Sequence, residues 1–199
     1  MFGLFKSGPV LDEESIHWLF DIYGWALDQF DAQRFFADTR LVLPTNEDFP
    51  GRENSPQGMA DLILDQVAGY AGLGHWPIKA VNEASFEPLP SEAFTRIGRE
   101  RGKDLEAISP SAVGGFIPVP FEVDMVMNPE ALIASYAHVL SHYLGSMAEK
   151  SPPGGAENWA MASEVLGVIL GFGVMMANSA FHAPGGCGSC NARMVARSS

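Results

Sequence analysis

Apolar residues recur every three to four positions along much of the chain, the period of helices with one buried face, and alternate only over short stretches. Over residues 12–31, Ile16, Leu19, Phe20, Tyr23, Leu27 and Phe30 fall on one stripe, and acids in the opening turn suit the helix dipole, so a first helix is predicted there. Residues 40–43 (Arg-Leu-Val-Leu) read as a short strand stopped by Pro44, followed by a loop over 45–54. Ser55 and Pro56 supply an N-cap and a first-turn proline. Met59, Leu62, Ile63, Val67 and Tyr70 then give the buried stripe of a second helix, ended by Gly72 or Gly74. A further strand is predicted at 78–81, whereas 88–111 mixes Pro, Gly and charge without a clear period.

The pattern changes in the second half. From Phe121 acids alternate with apolar residues (Glu122, Val123, Asp124, Met125), which predicts a half-exposed strand over 122–127, and Pro118 and Pro120 mark it as an edge. Asn128, Pro129 and Glu130 open a helix to about 147, the run from Lys150 to Gly155 ends it, and a second, strongly apolar helix follows over about 157–178. The expected architecture is α+β: one domain over 1–183, with a small sheet whose edge strand precedes a two-helix unit, and a flexible Gly- and Cys-containing tail over 184–199.

Composition narrows the functional classes. Lys+Arg number 12 against 24 Asp+Glu, for a net charge of −12 over 199 residues, which argues against nucleic acid and against an anionic membrane surface as partners. The opening residues MFGLFKSGPVLDEES carry no apolar run of signal-peptide length, so a cytoplasmic protein is expected. The most apolar stretch, 165–177, has the length of a buried core helix rather than the roughly twenty residues of a membrane span.

Candidate chemistry lies in the predicted helix after the edge strand. His138 and His142 are four residues apart, which puts two imidazoles on one helical face about one turn apart, the spacing with which one helix offers two ligands to zinc. Glu164 is the one ionisable residue in the apolar segment 159–181, and an antiparallel second helix would bring it opposite the pair as a third ligand. A carboxylate in such surroundings needs a cation or a hydrogen-bond donor. The alternative is that both histidines are neutral core residues, hydrogen-bonded to Glu164 or to backbone carbonyls.

The run from Ala131 to Leu144, containing His138-Val139-Leu140-Ser141-His142, resembles the active-site helix of zincin metallopeptidases, written H-E-x-x-H. Ser163-Glu164-Val165-Leu166 resembles the segment with which the gluzincin branch supplies its acidic ligand. Trp18 to Trp25, Leu43-Pro44-Thr45 before Phe49-Pro50, Gly171-Phe172-Gly173 and Ala177-Asn178 extend the likeness to a bacterial zincin-like group with no assigned substrate. The resemblance implies a zincin-like fold and a zinc site made by His138, His142 and Glu164. It also exposes a departure: the general-base position holds Val139, which cannot take a proton from a metal-bound water.

The expected function is therefore a degenerate zincin-like protein, metal-binding or formerly so, with little or no peptidase activity. One rival is a metal-free structural or interaction module that adds an extended partner strand to 122–127. Another is an active metal-dependent hydrolase whose base has moved to Glu157, Tyr136 or Tyr143, Glu149 being too far along the helix. Cys187-x-x-Cys190, with His182 nearby, is half a zinc or redox site without a second pair, and His17 and His75 are isolated. Gly167-x-x-x-Gly171 is a close-packing pair.

Overall fold

A computed structural model of the protein describes residues 10–94 and 96–180. The side chain of Asp12 accepts from the Ser15 N–H and starts α1, Glu13–Gln29. Asp31 accepts from the N–H groups of Gln33 and Arg34 and starts α2, Ala32–Asp38, so the predicted first helix is followed at once by another. Ser55 caps α3, Pro56–Ala71, and left-handed Gly72 closes it, as its sequence predicts. There follow β1 (Ile78–Asn82), the single turns α4 (Ser91–Phe94) and α5 (Pro110–Val113), β2 (Ile117–Phe121), α6 (Pro129–Ser146), α7 (Trp159–Gly167) and α8 (Gly173–Ala180). The result is a mostly helical α+β fold with a small parallel two-stranded sheet.

The sheet corrects one expectation. β2 pairs with β1 from Ile78↔Ile117 to Asn82↔Phe121 and stops there, and Val123–Met127 is a 3-10 helix rather than the edge strand expected over 122–127. The physical reason is the loss of a ladder: past Asn82 the chain turns into a 3-10 helix at Glu83–Ser85, so residues beyond Phe121 have no strand to pair with. The prolines do mark an edge, one strand earlier. Because the Ile117 N–H donates to Pro77 O (2.8 Å), odd-numbered β2 residues turn their N–H groups toward β1, and the outer side carries Pro118 and Pro120, which have none. The Tyr143 hydroxyl of α6 also donates to the outward Pro118 O (2.8 Å).

Residues 40–43 are not a strand either. They carry no strand pairing and reach a break in the last helical segment, where the Val42 N–H donates to Gly171 O (2.9 Å). α7 passes through a π-helical turn, Val168–Phe172, and breaks at Gly171 (φ 106°) before α8, so the predicted continuous apolar helix is two pieces. Only glycine fits there: a Cβ would stand 2.2 Å from Arg40 O. The segment Ala156–Ala180 is long and apolar enough to cross a membrane by length and composition alone, and half of its most apolar window is buried inside the fold.

α6 is the central helix. Leu132, Ile133, Ala134, Tyr136, Ala137, Val139, Leu140, Ser141, Tyr143, Leu144 and Gly145 are all buried, against α3 and β2 on one side and α7 and α8 on the other. The buried apolar side chains form one cluster. The turn joining α6 to α7 is held from α1: Trp18 donates to Pro153 O (3.1 Å) and Trp25 to Lys150 O (2.9 Å). Buried Gln29 accepts from the N–H groups of Glu149 (2.7 Å) and Lys150 (3.0 Å). The tryptophans quoted for the family likeness thus set how α6 meets α7.

Candidate functional site

A helix buried on nearly every side leaves only a narrow seam for polar side chains. In α6 that seam is Ala131, Ser135, His138 and His142, spaced four, three and four residues apart and each half-buried, with Ser146 exposed at its end. The sequence therefore places the two imidazoles as expected, on one face of one helix. Burial lowers the pKa of His138, and burial together with the neighbouring His138 lowers that of His142, so the neutral imidazoles are favoured. His138 Nδ1 is buried without a hydrogen-bond partner.

α7 packs antiparallel to α6. A Cβ on Gly167 would meet Ser141 Oγ at 3.2 Å, and one on Gly145 would meet the Trp159 ring at 3.1 Å and Leu166 at 3.8 Å, so Gly145 and the Gly167 singled out in the sequence let the two backbones approach. Each step toward the C-terminus of α6 is thus a step toward the N-terminus of α7. Glu164 is half-buried on α7, and burial pushes its carboxyl pKa up. It is not hydrogen-bonded or ion-paired to either imidazole, and among the described residues no group of three His, Cys, Asp or Glu side chains is placed to hold a metal ion. The three named residues line one pair of helices without forming a ligand set.

A fitting zinc site would differ in another respect. A histidine that ligates a metal through one nitrogen normally donates its other N–H to a carbonyl or carboxylate, and the bare His138 Nδ1 lacks that support. Among the described residues two of the three ligands that the family likeness implies share a face, and no third is brought to them.

Residue 139 stands where the family likeness expects a general base. Val139 is 5% exposed and belongs to the core cluster. Whatever residue stood there would point among apolar side chains and away from the seam. The proposed relocated bases are elsewhere too: Tyr136 is fully buried, and Tyr143 is buried and donates to Pro118 O. Burial raises the pKa of both phenols. Glu157 is exposed, seven residues before Glu164 and so about 10 Å further along the axis, and Glu149 pairs with Arg99 at 2.8 Å.

Two features of the surroundings escape a reading of the motif alone. Val168, the first residue of the π-helical turn that follows α7, is 52% exposed. Asp48 anchors the Leu43-Pro44-Thr45 segment, accepting from the Leu43 N–H and from Arg40 (2.7 Å each), which together hold its carboxyl below the usual range. His75 is buried and belongs to no group of three His, Cys, Asp or Glu side chains placed to hold a metal ion among the described residues, while His182, Cys187 and Cys190 lie outside the described residues. Comparison of the chain with protein-family models, with curated proteins and with solved structures gives no match.

Proposed function

We propose that the chain is a zincin-like protein without peptidase activity, in which the His138 and His142 pair is the remnant of a metal site. The observation that carries this reading is the burial of Val139: the side chain after the first histidine has neither a proton-accepting group nor access to the seam where a substrate would lie. The half-buried, unlinked Glu164 and the orphaned His138 Nδ1 support it. In an active zincin the missing carboxylate moves a proton between the attacking water and the leaving amine, and losing a positioned acid–base group typically costs about 10²–10⁴-fold in rate.

The test is direct: incubate the purified protein, with zinc added, with unstructured peptides and follow cleavage with and without a chelator. No cleavage above buffer is expected in either arm. Cleavage that the chelator abolishes would overturn the reading.

A further inference from the structure

The C-terminus of α3 is closed by a buried arginine. Arg101 is 6% exposed, and its Nε donates to Ala71 O (2.9 Å), while the Gly102 N–H donates to Gly72 O (2.9 Å). Carbonyls left over at the helix end are thus taken by the chain at 101–102. The Arg101 Nη2 also donates to Thr39 Oγ1 (3.3 Å). A guanidinium has five N–H donors, and these contacts engage two of them. Among the described residues no carboxylate is ion-paired with Arg101, in contrast to Arg34, Arg40 and Arg99. Burial lowers its pKa to about 10, against the pull of Asp31 and Asp38, so the side chain stays charged at neutral pH.

Arg101 lines a cleft of about 240 Å³, open to solvent, together with Arg34 and Asp38 of α2, Tyr70 of α3, and Lys103. Gly72 and Gly102 complete it. A Cβ on Gly72 would stand 3.2 Å from the Gly102 N, and one on Gly102 would stand 3.1 Å from Arg34 Cζ, so glycine at both positions lets the 101–103 backbone pass under the Arg34 guanidinium. Arg34 is ion-paired with Asp38 (3.4 Å) and Asp104 (2.7 Å), so one cation already holds both carboxylates. Arg101 and Lys103 add two positive charges that have no ion pair among the described residues. In a chain of net charge −12 this is a local excess of positive charge.

We propose that this cleft binds the phosphate group of a small ligand, with Arg101 as the buried anchor and Arg34 and Lys103 flanking the anion. A buried cation without a counter-ion is costly, and a bound anion supplies what the fold leaves out. The ligand chemistry follows from the donors: a guanidinium with N–H groups to spare matches two oxygens of one anion, and two cations without ion pairs match a dianion. The cleft is smaller than a pocket for a drug-sized ligand, so it suits a free phosphate ion or the phosphate end of a longer molecule. None of its residues belongs to α6 or α7, so the proposal stands apart from the histidine seam and from the non-hydrolytic reading.

The test is a titration of the ¹⁵N-labelled full-length chain with inorganic phosphate, at ionic strength held constant with sodium chloride, followed in the amide and arginine Nε–H resonances. Saturable shifts are expected at Gly72, Gly102 and the Arg101 Nε–H, with a Kd in the millimolar range. Lys103→Gln, at an exposed position, should keep the fold and weaken binding by about three- to tenfold. Arg101→Gln should abolish binding, and Arg101→Lys, which keeps the charge without the fork, should restore only part of it. Because Arg101 also closes α3, its variants count only where their circular dichroism spectra match that of the parent, and Lys103→Gln decides the matter otherwise. No saturable shift, the same shifts with sodium chloride alone, or an affinity unchanged in Lys103→Gln overturns the proposal. Glycerol 3-phosphate in the same titration separates the two sources: tighter binding than inorganic phosphate assigns the cleft to a phosphate ester, and binding no tighter assigns it to the free ion.

Discussion

Placing the zincin glutamate at position 139, by Val139→Glu, should damage the protein rather than give it peptidase activity. Val139 is 5% exposed in the core, so the new carboxyl either ionises among apolar side chains or stays protonated. Protonation is the cheaper route: holding at pH 7 a group whose unfolded pKa is about 4.3 costs about 1.4 kcal/mol per pH unit, or roughly 3.7 kcal/mol. Lost valine packing and the larger volume add about 1–2 kcal/mol, for a total of about 5 kcal/mol, a large share of a typical domain's stability. The pH dependence carries a signature. A folded pKa raised above the unfolded value makes the penalty grow as pH rises from about 4 to the folded pKa, and vanish below about 4. Urea unfolding of Val139→Glu and of Val139→Gln at pH 5 and pH 7 isolates it, because Gln carries the packing defect without the titration. The Glu variant should lose about 2.7 kcal/mol more than the Gln variant between the two pH values. A Glu variant as stable as the parent at both pH values, and cleaving peptides in a chelator-sensitive way, would show that residue 139 faces an open site and refute the argument.

Three further outcomes follow from the geometry. Gly171→Ala sets a methyl group 2.2 Å from Arg40 O at φ 106°, so the 40–43 segment must lift from the helix break, and unfolding should show a loss of about 2–3 kcal/mol. Gln29→Leu removes the acceptor of the Glu149 and Lys150 N–H groups, and amide exchange at both should accelerate with a stability loss of about 1–2 kcal/mol. The histidine pair titrates below its unfolded pKa, so stability contributed by its neutral form is present above about 6.5 and lost as pH falls through that value toward the folded pKa; His138→Gln with His142→Gln should flatten the stability curve over that window, followed by thermal melts from pH 7.5 to pH 5.

Local signals were legible where short-range chemistry decides them. Ser55 with Pro56 and Gly72 bound α3, and Asn128 with Pro129 opens α6, because caps act within one turn. The i, i+4 histidines share a face for the same reason. What failed depended on distant partners. The alternation over 122–127 is compatible with a strand, but β1 ends at Asn82 and offers it no ladder. The Arg40–Leu43 stretch has strand composition, yet its Val42 N–H finds a carbonyl at the Gly171 break. Glu164 stands out in the sequence as a charge in an apolar helix, but how α7 meets α6 depends on packing and on the α1 side chains Trp25 and Gln29 that hold the connecting turn. No periodicity within α7 reveals that packing.

The central claim is that His138, His142 and Glu164 do not close on a metal. Crystals grown in zinc, with diffraction collected on both sides of the zinc absorption edge, test it most directly. The account predicts no anomalous peak coordinated jointly by the two imidazoles and the Glu164 carboxylate. A full-occupancy peak within about 2.0–2.2 Å of one nitrogen of each histidine and one oxygen of Glu164 would contradict it.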